Sequence, residues 1–204
     1  MKLDFLLDIV CPWCYIGKKH YDNVDIKYKK KINNFSWKPF FLNPDMPIIG
    51  VNRQQYLNNK FGDQNNATKV YQDILFAGNK AGINFNFNKI SIMPNSLKAM
   101  KLISSIKDSQ KASFFIDDLF KAFFIKGEDL GCSNILFKYG KNYIDNLTVP
   151  MINNNKNNEK LLETDYQYKS LGISGVPAII INSKNFLEGV QETTKLESIF
   201  NELP

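Results

Sequence analysis

The chain has 204 residues, 44% of them hydrophobic and 13% aromatic, and carries a net charge of +6. That length supports one well-buried domain, or one domain with a sizeable insertion, and the balance excludes disorder and fibrous architectures. No apolar run approaches the ~20 residues of a membrane span. The positive charge is almost all lysine, scattered among Asn and Asp with Arg53 as the one arginine, which reads as a solvated face rather than a nucleic-acid surface.

Leu3–Val10 is apolar apart from Asp4 and Asp8 and runs into Cys11-Pro12. It reads as a strand feeding a helix that starts near Pro12, because proline is tolerated in a first helical turn. That helix should carry Tyr15, Ile16 and Tyr21 and end near the lysine run Lys27–Lys31, where cations suit the C-terminal dipole. Asp4 and Asp8 also interrupt what a secretion signal would need as its apolar stretch, and no small-residue cleavage site follows. The expected location is the cytoplasm, where paired cysteines are usually catalytic or metal-bound.

Phe35–Leu42 is a second strand, rich in aromatics, with Pro39 arguing for an edge or a bend. A helical middle follows: Asn52–Phe61, Ala67–Ala81, Asn95–Lys107, Lys111–Ile125 and Ser133–Tyr143 all repeat apolar residues at three- and four-residue spacing. The polar patch Asn153–Asn158 reads as a surface loop ahead of a further helix, and Gly127 and Gly172 read as helix stops. Met93, Met100, Met151 and the many Phe are assigned to the core. The end of the chain returns to β: a bend at Ile173–Pro177, a buried strand to Asn182, a turn into Phe186–Glu188, and a final helix over Glu192–Glu202. The order is β-α-β, helices, β-β-α, an α/β protein with helices covering a sheet.

Cys11-Pro12-Trp13-Cys14 sits at the first strand-to-helix junction. Free N–H groups and the positive dipole end of a helix favour a thiolate, the species that attacks a disulfide. Cys11 is therefore the candidate nucleophile and Cys14, one turn on, the resolving thiol. Zinc is the main competing reading, but beyond the pair the chain offers only Cys132 and His20 as ligands of the usual kind. A bridged iron–sulfur cluster or a pair of inert buried cysteines are further alternatives. Cys132 and His20 themselves read as structural residues. Gly175-Val176-Pro177 precedes an apolar strand, and an X-Pro bond in such a turn is a candidate for cis. Backbone exposed at Val176 could pair with an extended peptide or with glutathione.

Asp8-Ile9-Val10-Cys11-Pro12-Trp13-Cys14-Tyr15-Ile16-Gly17 resembles the opening of the DsbA-like thioredoxin-fold oxidoreductases, specifically the FrnE-type branch. Further segments match in order: Phe40–Pro47, Tyr56–Gly62, Pro94-Asn95-Ser96, Lys121–Gly127, Gly172–Pro177 and Gly189-Val190-Gln191. The resemblance implies a thioredoxin fold over 1–45 and 170–204 with an inserted helical domain over 46–169. It further implies catalysis by Cys11 and Cys14, and substrate binding by Pro12, Trp13, Val176 and cis Pro177. The expected function is thiol–disulfide exchange on protein, peptide or small thiol clients. No cofactor or metal is required, glutathione is the candidate co-substrate, and the protein is a monomer or homodimer. The related glutathione-dependent 2-hydroxychromene-2-carboxylate isomerases have a similar architecture but a serine in place of Cys11, which counts against isomerase chemistry. Some FrnE-type proteins carry an additional C-terminal cysteine pair; this sequence has none before Pro204.

Overall fold

In a computed structural model, which describes residues 1–62 and 64–202, the first strand β1 (Lys2–Leu7) is buried along nearly its whole length. Asp63, Leu203 and Pro204, within the expected domain segments, lie outside the described residues. The helix α1 (Pro12–Asp22) follows at once and buries Tyr15, Ile16 and Tyr21 as the spacing predicts. It stops short of the lysine run. Asn23 caps it, and Asp25 accepts the N–H of Lys27 to start a separate one-turn helix, α2 (Ile26–Lys29). An Asp at an N-cap restarts a helix more readily than the sequence Asn23-Val24-Asp25 continues one. The lysines therefore occupy that turn and the residues after it.

The edge strand β2 (Asn34–Pro39) ends at Pro39, opposite Leu7. The middle of the chain is not wholly helical as expected: β3 (Val51–Asn52) pairs antiparallel with β4 (Ile92–Met93). Two-residue strands leave no alternation to read. Around them run α3 (Arg53–Phe61), α4 (Gln64–Lys80), α5 (Leu97–Ser105), α6 (Ser109–Phe124), α7 (Ser133–Gly140), α8 (Val149–Asn153) and α9 (Asn158–Ser170). Asn52 is the N-cap of α3 and accepts the N–H groups of Gln54 and Gln55. The chain closes with β5 (Ala178–Ile181), β6 (Asn185–Glu188) and α10 (Thr193–Glu202).

The sheet order is β2-β1-β5-β6, with β1 parallel to β2 and antiparallel to β5. Successive β1 side chains face opposite sides. Leu3, Phe5 and Leu7 enter the main core, while Leu6 joins Phe40, Ile173, Ala178 and Ile180 on the other face. A strand covered on both faces is apolar throughout, which is why β1 and the Ile-rich β5 carry no hydrophobic alternation. The mixed sheet with this strand order and its covering helices is a thioredoxin fold.

Aromatic packing and one buried ion cluster fix α1 in place. Tyr15 stacks on Phe120 of α6 with ring centroids 4.8 Å apart. Lys18, fully buried, reaches Asp22 at 2.7 Å and Asp117 of α6 at 2.8 Å. Of the methionines assigned to the core, Met93 and Met100 are buried but Met151 is exposed on the short helix α8. Phe76, Phe114 and Phe186 are likewise exposed. Among the described residues no helix is long and apolar enough to cross a membrane.

Candidate functional site

Cys11 is the N-cap of α1, with extended backbone (φ −93°, ψ 112°) and Pro12 in the first turn. Its sulfur accepts the N–H of Cys14 at 3.3 Å, and its carbonyl accepts the N–H groups of Cys14 and Tyr15 at 3.1 and 3.3 Å. The Cys14 N–H, one of the orphan donors of the helix start, is thus directed at Cys11. Both cysteines are free; Cys11 is 3% exposed and Cys14 fully buried. Burial, followed by the adjacent Cys11, pushes the Cys14 thiol well above its ordinary pKa, so Cys14 rests as a neutral thiol.

Val176 and Pro177 arrive from the loop before β5, and the peptide bond between them is cis. The Cys11 thiol faces the Val176 carbonyl oxygen at 3.5 Å. This approach depends on Gly17, one turn and a half along α1. A Cβ at that position would lie 2.9 Å from Pro177 Cγ and 3.3 Å from Pro177 Cβ. Gly17 therefore sets how closely the loop can sit over the cysteines.

A cavity of about 260 Å³ opens beside Cys11, Pro12, Trp13 and Val176. Its far wall is apolar, built from Val70, Tyr71 and Ile74 of α4 together with Met93. Among the described residues one charged group lines it: Lys60 of α3, whose Nζ donates to the Tyr56 hydroxyl at 2.9 Å. Tyr56 in turn donates to Asn43 Oδ1 at 3.3 Å. Trp13 is half-buried in this wall.

Beneath the cysteines lies Asp8, fully buried. Its carboxylate accepts the N–H of Leu42 at 2.9 Å and of Val10 at 3.3 Å, and its carbonyl accepts the N–H of Cys11 at 3.0 Å. Desolvation outweighs these bonds and pushes its pKa from 3.8 up to about 6. Asp8 is close enough to act electrostatically on Cys14. A second buried carboxylate, Asp165 of α9, accepts the N–H of Phe41 at 2.8 Å and pairs with Lys169 at 2.7 Å. The two acids pin the segment after β2, and with it the Leu42–Asn43 side of the cavity.

All six residues singled out in the sequence thus come together: Cys11, Pro12, Trp13 and Cys14 on α1, Val176 and Pro177 facing them. His20 and Cys132 do not join them. His20 Nδ1 lies 3.3 Å from the Thr193 hydroxyl, tying α1 to α10. Cys132 occupies the N-cap of α7 without a side-chain capping bond. Among the described residues no group of three or more His, Cys, Asp or Glu is arranged to hold a metal ion. Sequence reasoning missed Asp8, Gly17 and the Lys60–Tyr56–Asn43 chain. All five stand inside the matched motif segments, but nothing in their spacing gives them a role. Asp8 served there only as a break in an apolar run.

Residues 2–201 match the DSBA-like thioredoxin domain family. A curated relative, the uncharacterized protein YwbO of Bacillus subtilis (strain 168), is 26% identical over 134 residues, which cover 64% of this chain and 60% of the relative. The chain thus spans well under two thirds of that relative's length. A probable DsbA oxidoreductase from Streptomyces coelicolor superposes with a TM-score of 0.83 at 16% identity, over 99% of this chain and 89% of that one. A 2-hydroxychromene-2-carboxylate isomerase gives 0.69 at 13% identity, covering 98% of this chain and 95% of its own. The cytosolic disulfide reductase DsbM from Pseudomonas aeruginosa, solved with GSH, gives 0.63 at 13% identity with 98% of both chains covered. At these identities the likeness is one of fold.

Gly17→Ala should destabilise the protein by about 1–3 kcal/mol, the usual cost of overpacking, in urea unfolding, and should raise the alkylation rate of Cys11 as the loop is displaced. Asp8 predicts a pH dependence. Its folded pKa lies above its unfolded value, so the native state binds its proton more tightly, and stability falls as pH rises from about 4 through about 6. The loss amounts to at most ~3 kcal/mol, complete above pH 6. The stability of Asp8→Asn minus wild type should therefore grow between pH 4 and 7, and a difference that stays flat contradicts the assignment.

Proposed function

Because the chain belongs to the DSBA-like thioredoxin domain family, we propose that it is a thiol–disulfide oxidoreductase of the FrnE-type branch, with Cys11 as nucleophile and Cys14 as resolving thiol. The observation that carries this reading is the N-cap position of Cys11. Its sulfur receives the Cys14 N–H and looks onto Val176 at the mouth of the cavity.

The cycle uses these residues in turn. A substrate disulfide enters beside Trp13, and the Cys11 thiolate attacks one sulfur; the substrate S–S bond breaks, a Cys11–substrate bond forms and one substrate thiolate leaves. Cys14 then loses its proton. Asp8, buried beside it with a pKa near neutrality, is the acceptor. The Cys14 thiolate attacks Cys11, a Cys11–Cys14 disulfide forms and the second substrate thiolate departs. Two thiols of a reducing pool, with glutathione as the candidate, return the enzyme to the dithiol; run backward, the same steps oxidise dithiols. The chemistry requires no cofactor. The backbone at Val176 is suited to an extended thiol-containing peptide or to glutathione. We place the protein in the cytoplasm as a monomer or homodimer, and read 46–169 as a helical insertion that supplies the far wall of the cavity to a thioredoxin-fold domain of 1–45 and 170–204.

A second reading, a glutathione-dependent small-molecule isomerase or transferase, draws on the largely apolar cavity beside Cys11. The two readings part at Cys14. Under the first, Cys14→Ser incubated with glutathione disulfide accumulates a mixed disulfide on Cys11, read by intact mass, and loses multiple turnover, while Cys11→Ser forms none. Undiminished turnover in Cys14→Ser that requires glutathione would support the isomerase instead.

A further inference from the structure

Against the sheet edge lies another cavity, of about 310 Å³, between β2, α5 and the start of α9. That volume is at the lower end of the ~300–1,000 Å³ usual for small-molecule sites. Three lysines line it, Lys38 from β2, Lys101 from α5 and Lys160 from α9, and among the described residues no carboxylate does.

The cavity gathers cationic groups without a counter-ion among the described residues. The ammonium groups of Lys38 and Lys160 make no hydrogen bond or ion pair among the described residues. Lys101 is held in place by two carbonyl oxygens, donating to Ile152 at 3.0 Å and also to Asn154. Burial, and then the neighbouring Lys98, push its pKa down. The three lysines come from three different elements around the cavity, and an anion seated among them is attracted by each. The acids of the first turns of α9, Glu159 and Glu163, are not among the lining residues.

The remaining groups define the anion. Ser104, Ser105 and Thr164 line the cavity with hydroxyls; those of Ser105 and Thr164 donate to the Leu102 and Lys160 carbonyls at 2.7 and 2.8 Å, which leaves Ser104 as the uncommitted donor. The first turn of α9 opens at Asn157, in a left-handed conformation (φ 71°), and no side chain caps it. The Asn158 N–H is taken by the Asn155 carbonyl, but the ammonium groups, the Ser104 hydroxyl and the N–H groups of Glu159 and Lys160 suit the dispersed oxygens of a phosphate. A planar carboxylate is matched best by the fork of an arginine, which this cavity lacks. Trp37, Pro39 and Leu161 form an apolar part of the lining, and the volume leaves room for more than a bare oxyanion.

We propose that this cavity is a binding site for a small phosphorylated organic molecule, with the phosphate between Lys38, Lys101 and Lys160 and the organic part against Trp37, Pro39 and Leu161. The site is independent of the redox reading, since it shares no lining residue with the cavity beside Cys11.

The test is an amide-correlation NMR titration of the full chain with phenyl phosphate, and separately with inorganic phosphate and with benzoate. Saturable shifts should gather at Ser104, Ser105, Lys160 and the Trp37 indole N–H, with phenyl phosphate binding more tightly than either partial probe. Lys38→Gln combined with Lys160→Gln should weaken it by roughly tenfold or more, from the loss of charge-assisted contacts, while resonances around Trp13 stay unchanged. Lys38→Gln alone should give a smaller loss; both variants replace side chains without partners, and a dispersed spectrum verifies their fold. Inorganic phosphate binding as tightly as phenyl phosphate would overturn the organic part of the proposal. Shifts centred on Trp13 and Lys60, shifts spread over lysines throughout the surface and unaffected by the substitutions, or no saturable shift would overturn the site itself.

Discussion

The packing of α1 against the loop before β5 is the constraint on which the candidate site depends. A thiol at a helix N-cap is a common enough feature; what makes this one a site is that Val176 and Pro177 are held over it. That proximity needs a helix residue without a Cβ, and Gly17 supplies it. It also needs α1 to be immobile. Tyr15 stacked on Phe120 and the buried Lys18 bridging Asp22 and Asp117 lock the helix to α6. A residue of α6, far from the cysteines in sequence, thus contributes to where Cys11 sits. Removing one member of such a buried cluster is far more disruptive than never having built it, because the remaining charge is left unpaired.

Polar groups below the cysteines add a second constraint. Asp8 is buried at an electrostatic cost that its hydrogen bonds to Leu42 and Val10 only partly offset, and its pKa rises to about 6. The same carboxylate fixes the Leu42 backbone at the cavity wall, and Asp165 fixes Phe41 next to it. Structure and electrostatics are coupled here: the residue that shapes the cavity is also the titratable group beside the Cys14 thiol.

Much of this was legible in the sequence, for identifiable reasons. β1 and β5 could be found because strands covered on both faces are largely apolar, with Asp4 the exception inside β1, and α1 because Pro12 and the cysteine spacing mark a helix start. The Val176–Pro177 turn stood out because a proline directly precedes a four-residue buried strand. What escaped did so because the information is tertiary. Lys18 reads as one more surface lysine until Asp117 is brought to it across nearly a hundred residues. Met151 was assigned to the core by residue type, whereas the five-residue α8 leaves it in solvent. The β3–β4 pair is too short to show a period, and the end of α1 was overrun because Asp25 starts a new turn that lysine content alone does not reveal.

The most direct test of the account is an equilibrium titration of the purified protein in glutathione redox buffers, followed by Trp13 fluorescence and by the mass of alkylated thiols. The account predicts one reversible two-electron transition confined to Cys11 and Cys14, with Cys132 remaining alkylatable throughout. The absence of such a transition, with Cys11 instead retaining glutathione as a stable adduct while Cys14 stays reduced, would contradict it.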